Sequence, residues 1–323
     1  MSAEDSTSGI LQSATPILIT MGEPCGVGPE VAVEVYGTCD GHIGGHPIRL
    51  IGDPEVFSAC GDIDRDAIIP TRARAKRTPG KLIAENAPAV IEAIETAVAL
   101  ARSGQAAALV TAPIHKAVLM QAGFKFPGHT DYLAELTGAR RAVMMLASEA
   151  LRVVPYTAHV PLSAVPGLIS VEGLVETGTI LIESLKRDFG IAIPRLAVAG
   201  LNPHAGEDGK LGHEEADIIA PAIEALRATG AKVRGPMPSD TMFHEEARAE
   251  YDAALCMYHD QALIPLKTLS FWEGVNVTLG LPIVRTSPDH GTGLDIAGKG
   301  LADARSMLAA LKMAVKMVHA RKH

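Results

Sequence analysis

Apolar residues in this chain fall into short unbroken runs, separated by longer stretches in which they recur every three or four positions. The runs Pro16 to Met21, Ile48 to Gly52, Ala107 to Thr111, Ala142 to Ala147, Leu151 to Thr157, Leu196 to Leu201, Ala253 to Tyr258 and Val275 to Leu279 have strand length. Unbroken apolarity is what a strand covered on both faces requires. The helical period predicts helices over Pro29 to Tyr36, Ala87 to Arg102, Val171 to Asp188, Glu214 to Thr229 and Ala302 to His319. Strand and helix alternate, so the expected fold class is α/β, built from parallel βα units rather than as a β-sandwich. At 323 residues the chain is long for one core, and two lobes are expected, although no repeat or low-complexity linker marks a hinge. The polar first 14 residues read as a loose tail.

Composition narrows the function classes. With 47% hydrophobic and 20% charged residues the chain can build a substantial core. Its formal net charge is −8, and Lys and Arg are dispersed apart from Arg72, Arg74, Lys76 and Arg77, which argues against a nucleic-acid partner. That short run reads as a solvated loop, with a polyanion site as the alternative. The four cysteines, Cys25, Cys39, Cys60 and Cys256, form no C-x-x-C pair, and no basic segment leads into an apolar leader, so a reducing cytoplasm is expected. No uncharged apolar run approaches the ~18 residues of a membrane span, and no membrane association is expected.

In open α/β sheets ligands collect beyond the carboxyl ends of the strands. Five apolar runs break there into Gly, Pro, His or acidic residues: PILITMGEPCGVGPE, ALVTAPIHK, LRVVPYTAHVPL, RLAVAGLNPHAGE and YDAALCMYHDQ. His159, His204 and His259 follow or end three of them. Neutral imidazoles converging from separate strands suit a borderline divalent metal with open positions for substrate oxygens. Their wide separations match no compact metal motif, however, and each could instead cap a strand.

FPGHTDYL places Gly128, His129, Thr130 and Asp131 at a helix start. Thr130 or Asp131 could cap that helix; equally, the free N–H groups, a hydroxyl and an imidazole could hold a phosphate or carboxylate. Lys267, Asn276 and Arg285 lie around the Val275 to Leu279 strand, where the two cations would suit a phosphorylated substrate if they meet, and are ordinary surface residues if they do not. Gly26-x-Gly28 lacks the third glycine of a Rossmann turn and no P-loop motif occurs, so an ordinary nucleotide site is not expected. Gly291, Gly293, Gly298 and Gly300 form a loop able to approach a cofactor closely, with Asp295 available for a ribose hydroxyl; a plain cluster of turns would look the same.

Taken together, GEPCGVGPE, TAPIHK, FPGHTDYL, VMMLASEALRVVPYTAHVPL, GLNPHAGEDG, PSDTMF, MYHDQALIPLK and GVNVTLGLPIVRTSPDHGTGLDIAGKG resemble the 4-hydroxythreonine-4-phosphate dehydrogenases of pyridoxal phosphate biosynthesis, from Ile17 to about Lys316. The resemblance implies one divalent metal, zinc, magnesium or cobalt, at His159, His204 and His259. It implies substrate binding by His129, Thr130, Lys267, Asn276 and Arg285, and a non-Rossmann NAD or NADP loop that includes His290, Gly291, Thr292 and Asp295. The implied fold is two-lobed α/β/α, like that of isocitrate and isopropylmalate dehydrogenases. Residues 1–128 plus 272–323 would form the cofactor-side lobe and residues 129–271 the middle, dimer-forming lobe of a homodimer, with the active site in the cleft at the subunit interface.

The implied reaction is oxidation of 4-phosphooxy-L-threonine, with a metal and NAD(P), followed by decarboxylation to 3-amino-2-oxopropyl phosphate. Asp240, Lys267 and a metal-bound water remain candidates for the base. Relatives acting on threonate or erythronate phosphates or on aromatic cis-dihydrodiols share the histidines, and these substrates stay open, as does a metal- or metabolite-binding protein without chemistry. Two departures from the family pattern, Cys25 in place of a frequent alanine and Ala87 in place of a frequent glycine, touch no implied ligand.

Overall fold

A computed structural model describes residues 14–126 and 128–322, so the tail up to Ser13, Pro127 of FPGHTDYL and the final His323 lie outside the described residues. In chain order the first half comprises β1 (Ile17–Thr20), α1 (Gly28–Thr38), β2 (His42–Ile43), β3 (His46–Gly52), α2 (Pro54–Ser58), β4 (Ile68–Pro70), α3 (Ala87–Arg102), β5 (Ala108–Thr111), α4 (Lys116–Gln121) and α5 (His129–Thr137). Then come β6 (Val143–Ala147), β7 (Arg152–Pro155), α6 (Val165–Leu168), α7 (Val171–Phe189), β8 (Arg195–Ala199), α8 (Ala220–Ala228), β9 (Lys232–Met237), α9 (Glu245–Arg248), β10 (Ala253–Cys256) and α10 (His259–Leu269). The chain closes with β11 (Val275–Leu279), β12 (Arg285–Pro288) and α11 (Arg305–Ala320). Every apolar run singled out above is a strand, and every expected helix is present within a few residues of its bounds, the fourth opening with a π-helical turn at Glu215–Ile219. Among the described residues no single helix is long and apolar enough to cross a membrane.

The fold is α/β, but its sheet is not parallel throughout. The strand order is β2-β3-β1-β5-β12-β11-β6-β7-β10-β8-β9, with β4 on β3. β11 runs antiparallel to both β12 and β6, and β6 antiparallel to β7. Burial of both faces makes a strand apolar whichever way it runs, so the expectation of parallel βα units was too simple. Connector length decides direction, because a parallel crossover needs a dozen or more residues. Only Ser148–Leu151 separates β6 from β7, closed by Ser148 N–H donating to Leu151 O at 2.9 Å.

Strands drawn from both chain ends fill one side of the sheet and β6 to β10 fill the other, meeting at the β11–β6 pair. The central strands β11 and β12 gather most of their polar side chains on one face. Thr286 turns toward α11 and donates to Ala310 O at 2.9 Å, so its neighbours Arg285 and Ser287 point to the opposite face. Asn276 sits opposite Ser287, and Thr278 opposite Met144, on that same face.

The far ends of α7 and α11 are locked together beneath this region. The buried Asp188 carboxylate accepts from Arg187 Nε at 2.7 Å and from Arg321 Nε at 2.7 Å. Arg321 also donates to Pro282 O at 2.9 Å, fixing the loop that leads into β12. Asp188→Ala strands two guanidiniums on a semi-buried anchor and is expected to cost about 3 kcal/mol in urea unfolding. Lys316→Ala, which breaks an exposed pair with Glu149, should change stability by no more than about 0.5 kcal/mol.

Candidate active site

Where strand direction reverses, the polar face of the sheet floors a cleft of about 970 Å³. Thr111, Asn276, Arg285 and Ser287 supply its floor, the start of α5 and Lys116 one wall, and His159, His259 and Lys267 the other; His290 and Gly291 form the rim.

Arg285 is 3% exposed. Its Nη1 donates to Thr278 Oγ1 at 2.8 Å and its Nη2 to Thr111 Oγ1 at 2.6 Å, both neutral hydroxyls. Burial pushes its pKa down to about 9, which leaves the guanidinium charged at neutral pH. His129 opens α5 behind Gly128, and no side chain caps that helix, so Thr130 and Asp131 are not N-caps here. Desolvation first, then the charges of Arg285 and Lys116, hold the His129 pKa well below the usual imidazole value. A Cβ on Gly128 would lie 3.4 Å from Lys116 Nζ, which places that ammonium over the uncapped helix start.

Among the described residues, His129 Nε2, Thr177 Oγ1, Asn276 Oδ1 and Arg285 Nε are buried without a partner, and all four belong to residues lining the cleft. Buried polar groups are normally satisfied. Arg285 Nε awaits an acceptor and Asn276 Oδ1 a donor, so, with an uncapped helix N-terminus and several cations, the site suits a ligand that carries anionic oxygens together with a donor group. Lys267 Nζ lies 2.5 Å from Asp289 Oδ2, a half-buried pair on the opposite side of the cleft.

The rings of His159 and His259 are 5.6 Å apart. His259 Nδ1 lies 2.7 Å from Asp260 Oδ1, an arrangement that fixes the tautomer and turns Nε2 outward as a ligand. Burial, helped by Lys116 and His259, lowers the His159 pKa, so that imidazole is neutral at pH 7 and able to ligate. The residues present thus fit part of a metal site. His204 does not join them: it is exposed on the loop after β8 and lines no part of the cleft. Among the described residues no cluster of three or more His, Cys, Asp or Glu side chains could hold a metal within one chain. The His204 loop is strained, since His204 to Asp208 all have positive φ, between 44° and 82°, a conformation that costs non-glycine residues about 1 kcal/mol each. Buried Glu215 holds it, accepting from Leu201 N at 2.8 Å and Asn202 N at 2.7 Å.

His129, Thr130, Lys267, Asn276 and Arg285 therefore gather in one cleft, with His159 and His259 beside them. Asp240 stands apart, exposed after β9. Of the cofactor residues, His290 and Gly291 reach the rim, while Thr292 and the exposed Asp295 lie further out. A Cβ on Gly26 would come within 2.5 Å of Thr292 O, so this glycine allows the loop to close on α1. Lys116, Asp289 and Arg141 also line the cleft and were not singled out above. Lys116 had a signal, since it closes ALVTAPIHK, the polar break that follows β5.

Residues 49–314 match the family described as pyridoxal phosphate biosynthetic protein PdxA. A curated 4-hydroxythreonine-4-phosphate dehydrogenase of Roseobacter denitrificans is 53% identical over 94% of this chain and 98% of its own. The crystal structure of a 4-hydroxythreonine-4-phosphate dehydrogenase from Klebsiella pneumoniae superposes with a TM-score of 0.83 at 36% identity, covering 94% of this chain and 100% of that one. A terephthalate 1,2-cis-dihydrodiol dehydrogenase from Burkholderia xenovorans is more distant, at TM-score 0.65 and 26% identity over 94% and 98% of the two chains.

The depressed His129 pKa has a consequence for stability. The unfolded chain protonates this residue near pH ~6.5, whereas the folded site resists protonation until lower pH. The unfolded state then binds more protons, so stability falls as pH drops below about 6.5. His129→Gln is expected to flatten that loss when denaturant unfolding is compared at about pH 7.5 and pH 5; an unchanged pH dependence would show that another group sets it.

Proposed function

The chain belongs to the PdxA family of pyridoxal phosphate biosynthetic proteins, and from that premise we propose that it oxidises 4-hydroxythreonine 4-phosphate and releases carbon dioxide to leave 3-amino-2-oxopropyl phosphate. The observation that carries this reading is the unpaired cationic floor of the cleft, buried Arg285 above all. Arg285, Lys116, His129 and Thr130 hold the phosphate against the start of α5, and Asn276 offers a further amide contact.

A divalent ion at His159 and His259 supplies Lewis acidity when bound, and a nicotinamide dinucleotide on the loop from His290 to Gly300 supplies the hydride acceptor. Lys267 and Asp289 pair directly, so the Asp289 carboxylate would take the proton of the reacting hydroxyl by way of the Lys267 ammonium, and that ammonium would return one to carbon after the β-keto acid loses carbon dioxide. Exposed Asp240 lines no part of the cleft within one chain. The uncapped α5 terminus and the two sides of the cleft fix the reacting carbon between these groups.

The third metal ligand comes, in this reading, from His204 of the partner subunit in a homodimer, with the partner's Asp240 alongside. The strained, exposed His204 loop supports this, since such conformations persist where they serve a site. The two-lobe division into residues 1–128 plus 272–323 and residues 129–271 is kept in this reading with one change. α5 goes with the first, because Tyr132 Oη donates to Glu95 Oε1 at 2.6 Å on α3, which moves the boundary to about Gly138.

Turnover of the purified protein, followed by absorbance of the reduced cofactor, tests the substrate. 4-Hydroxythreonine 4-phosphate should be oxidised, while 4-hydroxythreonine, erythronate 4-phosphate and terephthalate cis-dihydrodiol should be poor; preference for the dihydrodiol would overturn the assignment. For the shared site, His159→Ala and His204→Ala should each be inactive as homodimers. Co-expressed, they should recover about a quarter of wild-type activity, because half of a random mixture is heterodimer with one intact site of two. No recovery would place all three histidines on one chain.

A further inference from the structure

Outside the cleft, one buried ion pair has no part in substrate binding. Glu30, in the first turn of α1, and Arg77 bury side chains that are 15% and 7% exposed and pair directly. The same carboxylate oxygen of Glu30 accepts the Gly298 N–H at 2.7 Å. Arg77 Nη1 donates to Pro24 O at 2.5 Å and Gly26 O at 3.0 Å. The glycine-rich turn before α1, which in a Rossmann site would cradle a pyrophosphate, is thus filled by a guanidinium and by Thr292 O, which accepts the Val27 N–H at 2.9 Å.

The loop from Gly291 to Gly300 contains neither helix nor strand, and its other backbone bonds are local, Ile296 and Ala297 to Gly293 and Lys299 to Ile296. Its hydrogen-bonded anchors to the rest of the protein are the Thr292 carbonyl and the Gly298 amide, the latter beside Pro79, and exposed Asp295 stands midway between them. Where Asp295 points therefore follows from where Glu30 is held, and Arg77 holds Glu30. A buried ion pair is a poor way to gain stability alone, since apolar residues of the same volume do as well or better. It is a good way to fix one geometry.

We propose that Glu30 and Arg77 are positioning residues for the dinucleotide, setting the 291–300 loop before the cofactor arrives; this rests on the reading of that loop as the cofactor site. A preorganised loop spares the dinucleotide the cost of ordering it. The effect should appear in cofactor affinity and leave the phosphorylated substrate untouched.

The test uses the full-length protein as Glu30→Ala, Glu30→Gln and Arg77→Met. Dinucleotide binding is read by quenching of Trp272, the single tryptophan, and amide exchange of the loop is measured without cofactor. Glu30→Ala and Arg77→Met should weaken dinucleotide binding about tenfold and raise its KM alike, with kcat and the substrate KM within about twofold. Glu30→Gln, which keeps an acceptor for Gly298 and loses the charge, should fall between and guards against a variant that fails to fold. Loop amides should exchange faster in the order Gln, then Ala. Wild-type dinucleotide affinity and loop exchange in Glu30→Ala would overturn the positioning role alone; failure of the wild-type protein to bind any dinucleotide would overturn the cofactor reading beneath it.

Discussion

A guanidinium without a counter-ion, sealed into the middle of a twelve-stranded sheet, is the constraint around which this protein is arranged. Two threonine hydroxyls satisfy part of Arg285 and leave its Nε unpaired. A buried charge in that condition is costly. Around it the protein adds more of the same: a neutral His129 with a buried unpartnered nitrogen, an uncapped helix start and Lys116 above it. Each is a local loss that a multiply charged anion would recover at once, which in the proposed reading makes binding selective for a phosphate.

The sheet makes room for this because it is not uniform. β11 is apolar toward α11, β12 turns only Thr286 to it with that hydroxyl satisfied by Ala310 O, both strands are polar toward the cleft, and the reversal of direction at β11, β6 and β7 marks the seam between the two sides. In the proposed reading the side built from both chain ends holds the phosphate and the dinucleotide loop, and the side built from β6 to β10 holds the metal. Chemistry at the seam requires both, and relative movement of the sides would open and close the site. The exposed His204 loop, strained and held by Glu215, then has a purpose in a second copy that it lacks within one chain.

Much of this was legible in the sequence, and the failures have physical reasons. Continuous apolar runs announced buried strands, and the strand-end rule pointed to His159 and His259, which do meet. The same pattern is blind to strand direction, so the antiparallel centre was missed although the four-residue Ser148–Leu151 connector implied it. RTSP, with Arg, Thr, Ser and Pro, reads as a loop, yet it is the buried strand β12, because the site replaces the apolar residues a central strand would otherwise carry. Lys116 was overlooked because a lone lysine shortly after a strand end looks like any surface cation. His204 and Asp240 follow strand ends as well, but a sequence pattern does not say whether a loop turns toward the cleft of its own chain, and within this chain neither does.

The most direct measurement is a paired one on Arg285→Met: thermal stability without ligand, and equilibrium binding of 4-hydroxythreonine 4-phosphate. If Arg285 is retained for its anion, the empty variant should be at least as stable as the wild type while affinity falls by roughly 2–5 kcal/mol. A variant that loses stability yet keeps its affinity would show that Arg285 is structural, and would contradict the account of the cleft as a phosphate site.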